Sequence, residues 1–373
     1  MSRRPTVVFA GGGSGGHIYP NLAICERLLE IDERATSHFL VSTRAIDHRI
    51  LATPEARRAV ANATHLPVMP PPRRPDRIPA WIGAWRRTSR LIGPLIRRDA
   101  IDAVIATGGF VSVPAVRAAR RAGVPVALVN LDAVPGRANR WMARTAGKVF
   151  SACDLDMRPD AERISLPLRR AAVDRHAASE ARARLGLQPD LPTLLVCGGS
   201  QGARSVNAMM EVLAGRLPRP ERGAAPWQVL HLTGEADEAR LREAYRGAGR
   251  TAVVMAFLDE MGLAWSSADL AISRAGASSV AEVRAHGVPT IFMPYPHHRD
   301  RHQWHNAAPL VDAGGAVVVD DVADPEAGAV HVLKTLEPLM ADNQRRDDMS
   351  AALRRDPPPD AAMTVARWAA SQL

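Results

Sequence analysis

A single histidine, His17, closes a run of small residues, Gly11-Gly12-Gly13-Ser14-Gly15-Gly16. An imidazole there can take a proton near neutral pH, and the backbone N–H groups of a glycine turn can cradle an anion. The apolar run at Thr6–Ala10 predicts a buried strand, and the periodicity from Asn21 to Glu30 predicts a helix. Strand, turn and helix N-terminus would bring unpaired N–H groups and the positive end of the helix dipole to one point. Gly11, Gly13 and Gly16 satisfy G-x-G-x-x-G, but a dinucleotide loop wants an acid after the second strand. That strand, His38–Val41, is followed by Ser42-Thr43-Arg44. A Walker A loop needs Gly-Lys-Ser/Thr where His17-Ile18 stands.

The second half carries more turns of this kind. Gly198-Gly199-Ser200-Gln201-Gly202-Ala203-Arg204 follows a strand ending at Cys197, and Arg274-Ala275-Gly276-Ala277-Ser278-Ser279 opens a helix that carries Glu282. Between them, Ala256-Phe257-Leu258 ends another strand. Each turn alone is weak; several in one domain point to a nucleotide-diphosphate pocket. Two metal-like patterns are set aside. Asp154-Leu155-Asp156 lies in a polar linker away from the turns and reads as surface charge. His297-His298 with His302 and His305 has the composition of a zinc cluster, on a loop entering a helix where His298, His302 and His305 could share a face. No metal is expected.

These groups need a scaffold, and the alternation of strand and helix patterns predicts doubly wound parallel sheets, an α/β fold. In the first half strands are predicted at Thr6–Ala10, His38–Val41, Ala103–Ala106, Val126–Val129 and Lys148–Ser151. In the second they fall at Thr193–Cys197, Gln228–Leu232, Ala252–Ala256, Leu270–Ile272, Thr290–Met293 and Ala316–Val319. The polar stretch from Asp154 to Asp190 marks the boundary. The expected division is 1–160, 161–355 and a final helix, 356–373, packing back on the first domain, with ligands in the cleft between two sheets. Trp81–Arg98 predicts a helix with Trp81, Trp85, Thr88, Ile92 and Leu95 on one stripe among arginines. It reads either as an ordinary amphipathic helix or as a surface for an anionic membrane.

Composition narrows the class. The 373 residues are 46% hydrophobic and 23% charged, ordinary for a globular protein. The net charge of +9 invites an acidic partner, although the basic residues are almost all arginine, which a GC-rich genome would also produce. A nucleic-acid binder is disfavoured: no helix-turn-helix or RRM signature is present. Cys25, Cys153 and Cys197 stand far apart in apolar contexts and read as reduced, buried thiols. No run approaches the roughly 20 apolar residues of a membrane span, so the chain is expected to be soluble or to touch a membrane surface only.

The stretches Gly11–Pro20, Thr107–Ser112, Ala133–Gly136 with Asn139-Arg140, Gly198–Arg204, Ser273–Glu282 and Asp300–Ala307 together resemble the MurG family of inverting glycosyltransferases, in order and spacing along nearly the whole chain. The resemblance implies a GT-B fold and transfer of N-acetylglucosamine from UDP to a lipid-linked muramyl-peptide, without a metal, at the cytoplasmic face of the cell membrane. It implies that Gly199, Ser200 and Gln201, with Gly276, Ala277 and Ser278, hold the donor diphosphate beside Arg169. Glu282 would accept the ribose hydroxyls, Phe257 would cap the uracil and the Leu258 backbone would read its edge. His302 and Gln303 stand at the sugar-binding Gln-Gln pair. On the acceptor side it implies Gly13, Ser14, Gly15, Gly16 and Asn139 as contacts, and His17 is the candidate for taking the acceptor's proton or for orienting the acceptor. The turn would be the acceptor-side lip of the cleft, its glycine N–H groups meeting the acceptor diphosphate.

The chain departs from the family where His-Glu-Gln-Asn becomes Val129-Asn130-Leu131-Asp132, so Asp132 is the nearby carboxylate left to act. That change leaves open a paralogue with another acceptor, or a UDP-sugar-binding protein without transfer activity.

Overall fold

Strands that are apolar on both faces alternate with amphipathic helices, and the chain folds accordingly as two parallel sheets covered on both sides. The computed structural model describes residues 4–72, 74–98, 101–132, 135–198, 202–218, 225–296, 301–322 and 324–373. They form two units, one ending at Arg169 and taking in Pro358–Leu373, the other spanning Arg170–Pro357.

The first unit runs β1 (Thr6–Gly11), α1 (Gly15–Ile31), β2 (Thr36–Ser42), α2 (Ala45–Leu51), α3 (Pro54–Ala59), β3 (Asn62–Leu66), α4 (Ile78–Arg98), β4 (Ala103–Gly108), α5 (Gly109–Arg121), β5 (Val126–Asn130), α6 (Arg137–Thr145), β6 (Lys148–Ser151) and β7 (Glu162–Arg163). Its seven strands lie in the order β3-β2-β1-β4-β5-β6-β7. The order reverses at β1 and β4, the switch point outside which doubly wound sheets bind ligands. Helix α1 begins at Gly15, a turn and a half earlier than its periodicity predicts, because the glycines themselves take helical conformation. His17 therefore sits in the first helical turn.

The β1–β4 register shifts between Ala10 and Gly11, so that Ala10 pairs with Ala106 but Gly11 with Gly108. Thr107 is the extra residue of this bulge, and its polar groups are left for other partners.

Helix α4 runs unbroken through Gly93-Pro94. Ala84, Thr88, Ile92 and Ile96 form its buried i, i+4 stripe, with Trp81, Trp85 and Leu95 half-buried. A second set of apolar side chains, Ile78, Ile82 and Leu91, stays exposed with Met69, among exposed Arg86, Arg87 and Arg90.

The second unit runs α7 (Arg170–Val173), α8 (Ala178–Arg184), β8 (Thr193–Cys197), α9 (Arg204–Arg216), β9 (Gln228–Leu232), α10 (Glu238–Gly247), β10 (Ala252–Met255), α11 (Met261–Ser267), β11 (Leu270–Ser273), α12 (Ala277–His286), β12 (Thr290–Phe292), α13 (His302–Asp312), β13 (Ala316–Val318), α14 (Pro325–Ala341) and α15 (Asn343–Arg354). Its sheet order is β10-β9-β8-β11-β12-β13, with the switch point between β8 and β11. The last helix, α16 (Ala361–Ala370), belongs to the first unit. There Ala362, Val365, Ala366 and Ala369 join the core with Leu22, Ile24 and Leu28 of α1. Fully buried Arg27 donates to Asp360 at 2.8 Å and fixes the helix start.

Candidate functional site

The bulge at Thr107 holds His17. The Nδ1 nitrogen of His17 lies 3.0 Å from the Thr107 carbonyl, and the Thr107 hydroxyl donates to the His17 carbonyl at 2.7 Å. A carbonyl can only accept, so Nδ1 carries the proton and Nε2 keeps its lone pair. The ring packs against Gly109, with Nε2 3.3 Å from where a Cβ would stand. The first-turn N–H groups of Gly15 and Gly16 have no intrahelical acceptor, and the Ser14 side chain does not cap them. A lone-pair nitrogen beside unpaired N–H groups can remove a proton next to a bound anion.

One expectation for this turn is corrected. Gly13 is not free to bind an acceptor phosphate, because its N–H donates to both carboxylate oxygens of Asp47 at 2.9 Å. Asp47 is fully buried and also accepts from the Ser42 N–H at 2.8 Å and hydroxyl at 2.6 Å. An acid does follow the second strand, but it lies on α2 and serves the protein backbone instead of a ribose. The Gly13 carbonyl is taken by Arg44 at 2.9 Å.

Asn139 and Asp132 are brought together. The Asn139 amide donates to the Asn130 Oδ1 at 3.0 Å and to the Asp132 Oδ2 at 3.1 Å. Asn139 is buried against Gly108, where a Cβ would fall 2.7 Å from its Oδ1 and where φ is +111°. Its amide is thus spent on positioning the exposed Asp132 carboxylate, not offered to an acceptor. Asn130 is buried too, and its own amide donates to the Asp132 carbonyl and the Ser151 hydroxyl. Cys153, expected to be buried, is only partly so and donates to the same carbonyl. The other two thiols are buried, which pushes Cys25 and Cys197 up to about 12 and leaves them unreactive.

In the second unit, Gly199, Ser200 and Gln201 lie outside the described residues. Gly202, the next residue described, has a φ of +72° and lies against the Thr233 backbone where a Cβ would clash, so only glycine fits there. Gly276 is the N-cap of α12 with no side chain to satisfy the first turn, and Ala277 and Ser278 are exposed there. This is an open anion-binding helix end. Glu282, one turn on, is held by the buried indole of Trp265, which donates to its Oε2 at 2.8 Å. Phe257 is 51% exposed at the end of β10, and Leu258 packs into the core beneath it.

Arg274 sits in the same turn as Gly276 but does not reach outward. It donates to the Met293 carbonyl and the Ser205 hydroxyl, both at 2.7 Å, and pairs with buried Asp321 at 2.7 Å. It thereby ties together the segments following β11, β12 and β13 and the start of α9. Asn306 adds a bond from α13 to the Ala275 carbonyl at 3.1 Å.

The structure gives the other expected residues these partners. Arg169, the last residue of the first unit before Pro358–Leu373, is ion-paired with Glu55 and stacked 4.6 Å over the Tyr19 ring. His302 and Gln303 open α13, but the Gln303 Oε1 already accepts from the Tyr295 N–H at 2.8 Å. Asp154 is exposed and paired with Arg163. His297 and His298 lie outside the described residues, and among the described residues no cluster of three metal-ligating side chains occurs.

Sequence reasoning missed Asp47, Trp265 and Asp321, and it named Thr107 and Arg274 within motifs without a role. Their signal is geometric: each acts through a neighbour in space.

Two Rossmann-like parallel sheets, each with anion turns at its switch point, define the GT-B class of glycosyltransferase fold. Residues 7–151 match the model of the glycosyltransferase family 28 N-terminal domain and residues 193–365 that of the family 28 C-terminal domain. The chain belongs to glycosyltransferase family 28. It is 38% identical over 369 residues, 97% of this chain and 96% of the relative, to a Nocardioides protein named UDP-N-acetylglucosamine--N-acetylmuramyl-(pentapeptide) pyrophosphoryl-undecaprenol N-acetylglucosamine transferase. A Streptomyces coelicolor protein of the same name is 39% identical, with 93% of this chain and 92% of the relative covered. Among solved structures, Acinetobacter baumannii MurG superposes with a TM-score of 0.73 at 26% identity, covering 99% of this chain and all of that one.

Proposed function

We propose that this protein transfers N-acetylglucosamine from its UDP donor to a lipid-linked muramoyl-pentapeptide diphosphate, the lipid I to lipid II step of peptidoglycan synthesis. The near-full-length identity with transferases of that name carries the reading. In a single inverting displacement the acceptor hydroxyl attacks the anomeric carbon while His17 Nε2 takes its proton, the Nδ1 proton being held on Thr107. Asp132 is the carboxylate candidate on that side. The first-turn N–H groups of α12 stabilise the leaving diphosphate, Glu282 receives the ribose diol, and the exposed Phe257 ring stacks on the base. His302 and the Gln303 amide meet the sugar hydroxyls.

Exposed Ile78 and Ile82, one turn apart on α4 with exposed Arg86, Arg87 and Arg90 on the same helix, support docking on an anionic bilayer as a peripheral protein, and the relatives' lipid-linked acceptor supports the cytoplasmic face. Among the described residues no helix is long and apolar enough to cross a membrane.

The test is UDP release from UDP-N-acetylglucosamine with a lipid-linked muramoyl-pentapeptide analogue. Turnover is expected. Release only with some other acceptor would overturn the acceptor assignment and leave the class intact, which is the outcome the Asn130 substitution would produce in a paralogue.

A further inference from the structure

Both backbone polar groups of Gly13 are held by side chains of opposite charge. Buried Asp47 takes its N–H, and Arg44 takes its carbonyl from the solvent side. The two clamps differ in what they leave over. Asp47 is buried and engaged with Gly13 and Ser42, beneath the turn. Arg44 is exposed, uses Nη1 on Gly13, and rests with its guanidinium 5.4 Å over the Phe110 ring. Among the described residues no carboxylate lies within ion-pair distance of it, and its Nε and Nη2 protons remain for a ligand.

The other guanidiniums near α1 are not available in this way. Arg169 is paired with Glu55, and Arg27 is buried on Asp360. A buried carboxylate under the turn also works against an anion above it, so the N–H groups of Gly15 and Gly16 need a compensating cation on the same turn. Arg44 is bonded two residues before them. Its planar fork suits a phosphate oxygen pair better than a lysine would.

We infer that Arg44 is the specificity residue through which the glycine turn recognises a diphosphate on the acceptor, with Gly15 and Gly16 as its backbone partners. The inference rests on the acceptor reading of this turn given above. Asp47 fixes the turn and withdraws Gly13 from the ligand; Arg44 supplies the charge.

The test compares wild type, Arg44→Ala and Arg44→Lys in two measurements. In turnover with the lipid-linked diphosphate acceptor, Arg44→Ala should raise the acceptor KM by about tenfold, the loss of a charge-assisted hydrogen bond. Donor KM should not move, and kcat at saturating acceptor should stay close to wild type. Arg44→Lys should recover part of the loss. In calorimetry with geranylgeranyl diphosphate as the probe, wild type should bind and Arg44→Ala should bind about tenfold more weakly. An unchanged acceptor KM, or a fall in kcat with both KM values unmoved, would show a merely structural clamp and overturn the inference. Failure of the acceptor reading looks different: no turnover with the muramoyl-pentapeptide analogue, yet Arg44-dependent binding of the diphosphate probe.

Discussion

The Nδ1–H of His17 donates to the Thr107 carbonyl at 3.0 Å, and the Thr107 hydroxyl returns a bond to the His17 carbonyl at 2.7 Å. The reciprocal pair exists because the β1–β4 register slips at Thr107 and frees its carbonyl from the sheet ladder. It sets both the tautomer of the imidazole and its rotation. If Nε2 is the proton acceptor, His17→Ala should lower kcat by about 10²–10⁴-fold, the usual contribution of a general base. UDP affinity, measured by calorimetry, should be unchanged. An alanine variant with near wild-type kcat would remove His17 from the chemistry.

Asp47 makes a second prediction, independent of Arg44. Its carboxylate collects the Gly13 N–H and two Ser42 donors in a site with no solvent exposure. Asp47→Asn keeps the shape but turns an NH2 group toward donors that need an acceptor. Leaving such a group unsatisfied costs about 1–3 kcal/mol, so the melting temperature should fall. Because the displaced segment leads directly into the helical turn of His17, kcat should fall about tenfold or more while UDP affinity holds. Loss of stability with kcat preserved would mean that the turn keeps its shape without the carboxylate.

The strands were legible because parallel strands buried on both faces read as short apolar runs, as Leu270–Ser273 and Thr193–Cys197 do. β3, with Asn62 and Ala63 exposed at the sheet edge, carries no such run, and β7 is only two residues long. Helix α1 was placed too late because propensity counts Gly15 and Gly16 against a helix, whereas the β1 core and the packing of Ile18 and Leu22 extend it. Motif residues such as Glu282 and Phe257 were found by spacing. Trp265, which holds Glu282, and Asp321, which holds Arg274, were not, because a buried partner 17 or 47 residues away leaves no local pattern.

The Trp265 indole gives the donor side its own test. Trp265→Phe keeps the buried ring in the core and removes the N–H that Glu282 Oε2 accepts at 2.8 Å. A hydrogen bond to a charged group contributes about 1.5–3 kcal/mol, part of which is expressed in orienting the carboxylate toward a diol. The donor KM and the UDP dissociation constant should therefore rise about three- to tenfold, with acceptor KM unmoved. Glu282→Ala should show a larger effect on the same two constants. If the phenylalanine variant binds UDP as wild type does, the indole has no part in donor recognition.

His231 predicts how the second unit responds to acid. It is fully buried between the Tyr245 hydroxyl at 3.1 Å and the Asn207 Oδ1 at 3.2 Å. Since Asn207 Oδ1 only accepts, Nε2 carries the proton and Nδ1 accepts from Tyr245. Burial pushes the imidazole down to about 3 from its ordinary 6.5. Between those values the unfolded chain binds a proton that the native state refuses, so stability is full above pH 6.5 and is lost as pH falls below it. One such proton corresponds to about 1.4 kcal/mol per pH unit. Burial shifts His286 in the same direction, so the two contributions add. Denaturant melts of wild type and His231→Gln at pH 7.5, 6.0 and 5.0 isolate the first of them. The variant should start less stable at pH 7.5, having lost the Asn207 and Tyr245 contacts, and should fall less steeply toward pH 5.0. Parallel pH slopes for the two proteins would mean that His231 takes up its proton in the native state.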